Sequence, residues 1–135
     1  MKKLCLFLLL SLILHASDYV VIVNKSSHVQ NISELQLKMV FLKKSKIIND
    51  TTILPINLPF SKRARISFEK NILHMSRKKL KSFWIQQHYL GKRPPIIMHS
   101  AKSIIQFVKK ITQAIAYIPK KDVEDDVRII YQWRD

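Results

Sequence analysis

Glycine is almost missing from this chain. Gly91 is the single one in 135 residues. Glycine-rich phosphate loops and dinucleotide fingerprints need several glycines close together, so both are excluded. Cysteine is as scarce, with Cys5 alone, inside an apolar N-terminal run. The chain beyond it has no thiol for a disulfide, a thiolate metal site or a nucleophile. Acidic residues are also few: 9 Asp and Glu stand against 24 Lys and Arg, a formal charge of +15. That excess suits anionic partners such as small oxyanions, acidic lipid headgroups or nucleic acid. A chain rich in Lys and Ile carries part of such a charge without any partner, so the charge alone does not choose. No apolar run reaches the ~20 residues that a membrane helix needs.

What is present begins at the N-terminus. Lys2 and Lys3 precede a run from Leu4 to Leu14 broken only by Ser11, and the small residue Ala16 follows. A basic start, a short apolar stretch and a small residue at the cut site predict a secretory signal peptide over residues 1–16. Cleavage after Ala16 is the expectation, with an uncleaved N-terminal anchor as the alternative. Cleavage leaves 119 residues, 17–135, at a formal charge of +13 once Lys2 and Lys3 are gone. That length holds one domain with one core. Export makes the expected location periplasmic and argues against nucleic acid as a partner.

Along the rest of the chain, Asp18–Asn24 (DYVVIVN) is a continuous, β-branched apolar run, read as a strand buried on both faces. Ser33 predicts a helix N-cap, with Leu35, Met39 and Leu42 recurring inward after it. Residues 43–52 read as a basic, polar connection. Ile53 to Asn57 reads as a short strand, which Pro55 weakens or pushes to a sheet edge. Ser61 predicts the cap of a helix to about Leu73, with Ala64, Phe68 and Ile72 inward. Ser76 starts another, with Leu80, Phe83, Trp84 and Gln87 on one side. Gly91 to Pro95 is a loop, since its two prolines end regular structure. Ser100 opens a fourth helix with Ile104, Ile105, Val108 and Ile111 inward. Ala114 to Ile118 is a strand ended by Pro119, and residues 120–126 a charged turn. From Val127 to Trp133 the alternation puts Val127, Ile129, Tyr131 and Trp133 on one face. Strands interleaved with helices predict an α/β domain with a mixed or parallel sheet.

Several of these segments resemble, in order, the small phosphate-transporter-type substrate-binding proteins of the type 2 periplasmic-binding fold. VVIVN (Val20 to Asn24) resembles their opening strand, SELQLKMVFLKK (Ser33 to Lys44) their next helix, and ILPINLP (Ile53 to Pro59) the strand before a ligand-side helix. Arg65 and Phe68 match an R-x-x-F step, Phe83 and Trp84 an aromatic pair, Gly91 to Pro95 a G-x-x-P-P stretch, and AIAYIP (Ala114 to Pro119) a later strand. Lys43 and Ala116 stand where the resemblance has glycine. The likeness runs over roughly residues 19–131. It implies one lobe of a type 2 periplasmic-binding-like fold, a mixed sheet flanked by helices. In the family the chain resembles, the oxyanion sits between two lobes, held by backbone N–H groups, hydroxyls and an arginine.

The expected ligand-binding residues fall in three places. Ser61, Lys62, Arg63 and Arg65 surround a predicted helix start, whose free N–H groups suit an anion; a capped, solvated basic helix is the plainer reading. Asn24, Lys25 and Ser26 follow the first strand, where open α/β sheets collect ligands beyond strand carboxyl ends; a polar turn is the alternative. Tyr117 lies in the family-like strand, as a contact or as core. His28, His74, His88 and His99 lack a metal spacing such as HExxH, and DVEDD (Asp122 to Asp126) lacks the glycine of a calcium loop. No nucleophile or carboxylate motif points to catalysis, and no metal or cofactor is expected. The chain is therefore expected to be an exported, non-catalytic solute-binding-like protein. Phosphate or a related oxyanion is its expected ligand, and an ABC permease or a second lobe-like protein its partner. The alternative is an envelope scaffold whose basic face meets anionic lipid or another protein.

Overall fold

The computed structural model describes residues 17–135, so the expected signal segment lies outside the described residues. In chain order the elements are β1 (Asp18–Asn24), α1 (Glu34–Phe41), β2 (Ile47–Ile48), β3 (Thr51–Thr52), β4 (Leu54–Asn57) and α2 (Arg63–Phe68), which runs on as a π-helical turn, Glu69–Leu73. Then come α3 (Arg77–Tyr89), β5 (Ile96–Ile97), α4 (Ala101–Lys110), β6 (Ala114–Pro119) and β7 (Val127–Arg134). Five strands form one mixed sheet in the order β5-β4-β6-β1-β7. β4 pairs in parallel with β5 and β6, while β1 is antiparallel to both β6 and β7. Only β1 therefore runs against the other four. The expected α/β class, a mixed sheet flanked by helices, is what the structure has.

From β4 to β5 the chain moves one way along the sheet, and from β5 to β6 it moves back past β4. Right-handed crossovers in opposite directions put α2 and α3 on one face and α4 on the other. The α2 face carries an aromatic cluster: Phe68 stacks on Tyr117 with centroids 4.1 Å apart and meets Phe41 edge-on at 4.7 Å. Trp133 tilts against Phe68 at 5.7 Å and stacks on Tyr19 at 5.4 Å. On the α4 face, Ile104, Ile105 and Val108 are buried. Between these layers Val20, Val21 and Ile22 lose all solvent contact, as a strand covered on both faces requires.

Local chemistry explains most element ends. Ser33, Ser76 and Ser100 each accept a backbone N–H from the first turn of the helix that follows. Lys43 takes φ 58° just beyond α1, the left-handed conformation of a helix end that glycine adopts without cost. Pro55 sits inside the sheet, not at its edge. Leu54 donates its N–H to Gln113 on the β6 side, so the nitrogen of Pro55 faces β5, whose pairing starts only at Ile56. No ladder bond is lost there.

Three expectations are corrected. The buried side of α1 is Leu37, Val40 and Phe41, while Leu35 is exposed; LQLKMVFL is apolar nearly all round, so its period does not single out a face. Residues 43–52 hold the hairpin β2–β3, turned by Asn49 and Asp50 at φ 47° and 61°, the mirror-image turn that suits paired strands. In β7 the inward alternation breaks. The register against β1 slips between Val21 and Ile22, opposite Tyr131 and Ile129, so Ile130 is the extra residue of a bulge. Ile130 is buried and Ile129 exposed.

Candidate functional site

β4, β5, β6 and β7 end at one end of the sheet, and β1 begins there. A cleft of about 600 Å³ lies at that end, between the starts of β1, α2 and α4 and the turn after β6. Tyr19, Leu58, Ala64 and Pro119 give it an apolar lining, and Lys62, Arg63, Lys120 and Lys121 line it with cations. Asp18 and Asp122 are its carboxylates. Arg134 donates from Nε to Asp18 Oδ1 at 2.8 Å, and this bond holds the Asp18 carboxyl below the usual range. Among the described residues Lys62, Arg63, Lys120 and Lys121 form no ion pair. The cleft is therefore electropositive, with four cations against one carboxylate that lacks a cationic partner.

The start of α2 adds to this. Lys62 holds the N-cap position and makes no side-chain cap. The first-turn N–H groups of α2 thus lack the serine cap that closes the other three helices, and they retain donor capacity for an anion. Ser61, expected as the cap, lies one residue too early and is exposed. Ala101, the first residue of α4, also lines the cleft.

The structure separates the other candidates from this place. Asn24 ends β1 and Lys25 and Ser26 follow it, and because β1 runs against its neighbours they lie at the opposite end of the sheet. Asn24 is buried and donates from Nδ2 to the carbonyls of Val108 (2.8 Å) and Lys109 (3.0 Å), closing the C-terminus of α4. Its Oδ1 accepts the Ser26 N–H. Asn24→Ala is expected to cost about 1–3 kcal/mol, since a buried carbonyl then loses its donor; urea unfolding measures it. Ser26 lines a separate hollow of about 350 Å³ with Ser27, His28, Asp50 and Thr112.

Arg65 and Tyr117 point into the protein. Arg65 is 4% exposed; its Nη1 donates to Leu58 O (2.9 Å), its Nε to Glu69 Oε2 (3.2 Å), and its guanidinium lies over the Phe60 ring at 4.3 Å. Arg77 reaches the same carboxylate from Nε at 3.1 Å, and a second nitrogen donates to Phe60 O. The Tyr117 hydroxyl donates to Asn57 Oδ1 at 2.7 Å and accepts the Leu58 N–H at 3.4 Å. Burial pushes its phenol up, so it stays neutral. Both residues tie the end of β4 to α2 and β6 and so shape the cleft from behind. Of the eight expected contacts, Lys62 and Arg63 line the cleft and Ser61 adjoins them. Lys120 and Lys121 were read as turn; the signal in the sequence is their place directly after a strand end.

Among the described residues no group of three or more His, Cys, Asp or Glu side chains gathers as a metal site. No described helix is long and apolar enough to cross a membrane.

No protein-family model matches this sequence, and neither does any curated protein. Solved structures do. An ABC-type phosphate transport receptor from Vibrio cholerae superposes with a TM-score of 0.68 at 18% identity, over 85% of this chain and 46% of that one. A phosphate ABC transporter substrate-binding protein with bound phosphate, from Clostridium perfringens, gives 0.69 at 19%, over 85% and 44%. PstS from Borrelia burgdorferi gives 0.62 at 17%, over 85% and 47%. The fold is that of one lobe of a periplasmic-binding protein. The chain matches less than half the length of these neighbours.

Proposed function

We propose that this protein binds a small oxyanion, phosphate first, in the cleft between Lys62, Arg63, Lys120 and Lys121, as an exported solute-binding component for an ABC transporter. The observation that carries this reading is the coincidence of two features. A cleft with four cations that form no ion pair among the described residues opens at an uncapped helix start, on a fold also found in phosphate receptors. The binding is non-covalent. Ammonium and guanidinium groups supply charge, the first-turn N–H groups supply direction, and the Asp18–Arg134 pair keeps one carboxylate from repelling the anion. Four flexible side chains around an open cleft bind weakly, with an expected Kd of about 0.1–1 mM at low salt. Calorimetry with phosphate and sulfate tests this. Saturable heat in that range is expected, and Lys62→Glu with Lys120→Glu should weaken it at least about tenfold. Absence of heat at ~10 mM phosphate, far above that Kd, removes the ligand claim. Binding untouched by the two changes moves the anion elsewhere.

A further inference from the structure

A second surface remains outside this reading. α3 is a 13-residue helix of which only Leu80 is fully buried. On it Ile85 is 51% exposed and Tyr89 84%; Leu90 just beyond is 70% exposed, and Phe60 across the groove 53%. Ile85, Tyr89 and Phe60 frame an apolar groove of about 670 Å³ whose walls include Leu80, Trp84 and Pro94. Its rim carries Lys81 and Lys92, and Arg93 is exposed next to Lys92 in sequence. The one carboxylate at the groove, Glu69, is buried and already held by Arg65 and Arg77. Between Glu69 and Asp122 the sequence contains no acidic residue at all.

We propose that the α3 face docks on an anionic lipid bilayer, with Ile85, Tyr89 and Phe60 entering the headgroup region and Lys81 and Lys92 meeting the phosphates. Charge decides the occupant. A second copy would set one uncompensated cationic rim against another, which repels. An anionic bilayer meets both parts of the surface: interfacial aromatics and aliphatics bury apolar area, and long basic side chains reach the headgroups around them.

The full chain is sedimented with vesicles of phosphatidylcholine alone and with added phosphatidylglycerol, at low and high salt. Lipids brominated in the acyl chain are used in parallel, since Trp84 lies on this face and Trp133 is in the core. Expected are binding to the anionic vesicles only, loss at high salt, and quenching of tryptophan emission. Lys81→Glu with Lys92→Glu should weaken binding about 30-fold or more. Ile85→Ser with Tyr89→Ser should abolish quenching. These side chains are exposed, so unchanged circular dichroism is expected to show both variants folded. Anionic binding without quenching and indifferent to Ile85→Ser with Tyr89→Ser is diffuse electrostatics and overturns the proposal. So does the absence of vesicle binding, or binding of an acidic protein through this face in place of lipid. None of these outcomes depends on phosphate.

Discussion

Glu69→Gln should destabilise the fold by about 3–5 kcal/mol, the cost of stranding a buried charge. Glu69 is 3% exposed and, among the described residues, is the only carboxylate paired with Arg65, whose side chain is as deeply buried. With glutamine in its place the Arg65 guanidinium keeps the Leu58 carbonyl and the Phe60 ring but loses its counter-charge. Arg77 loses its partner too, but it is half exposed and water can take over. Urea unfolding of wild type, Glu69→Gln, Arg65→Met and the double variant measures this. The double variant should recover part of the single loss, because no unpaired charge remains. A single change costing under ~1 kcal/mol would mean that water reaches Arg65 freely, contrary to its burial. The same variant should also weaken the proposed phosphate binding, because Arg65 fixes Leu58 in the cleft wall.

Phe68→Ala should cost about 3–5 kcal/mol as well, by another mechanism. Phe68 has no solvent contact and sits at the centre of the aromatic cluster, face to face with Tyr117 and edge-on to Phe41. Truncation leaves a cavity between α2 and the sheet that these rigid neighbours cannot close. The thermal midpoint should fall by about 10 °C or more. Phe68→Leu, which keeps most of the volume, should cost clearly less. If both changes cost the same, the loss belongs to ring stacking and not to the cavity.

The sequence revealed local structure well and direction poorly. β1 was read with its observed bounds, and Ser33, Ser76 and Ser100 as caps, because an apolar run and a capping side chain are local signals. Strand direction is set by distant pairing. Expecting ligand contacts from Ser26 as well as Ser61 assumes that loops after strands share one end, which holds only for parallel strands; β1 runs the other way. The sequence offers Arg65 as a ligand arginine because a helix start with nearby cations looks alike whether the guanidinium points out or in. Its partners Leu58 O and Glu69 decide that, and their convergence is three-dimensional. The β7 bulge was hidden for the same reason, since the slip is visible only against β1.

The placing of β1 also governs how the molecule is made. Ile22 pairs with Ala116 on one side and Ile129 on the other. β1, the first of the described strands, therefore waits for β6 and β7 before both of its edges are satisfied. Until then VVIV is a sticky, two-edged template, and non-local closure of this kind is slow. Unfolded chains should need shielding until β6 and β7 are in place, and loss of β7 alone would leave β1 as an open edge.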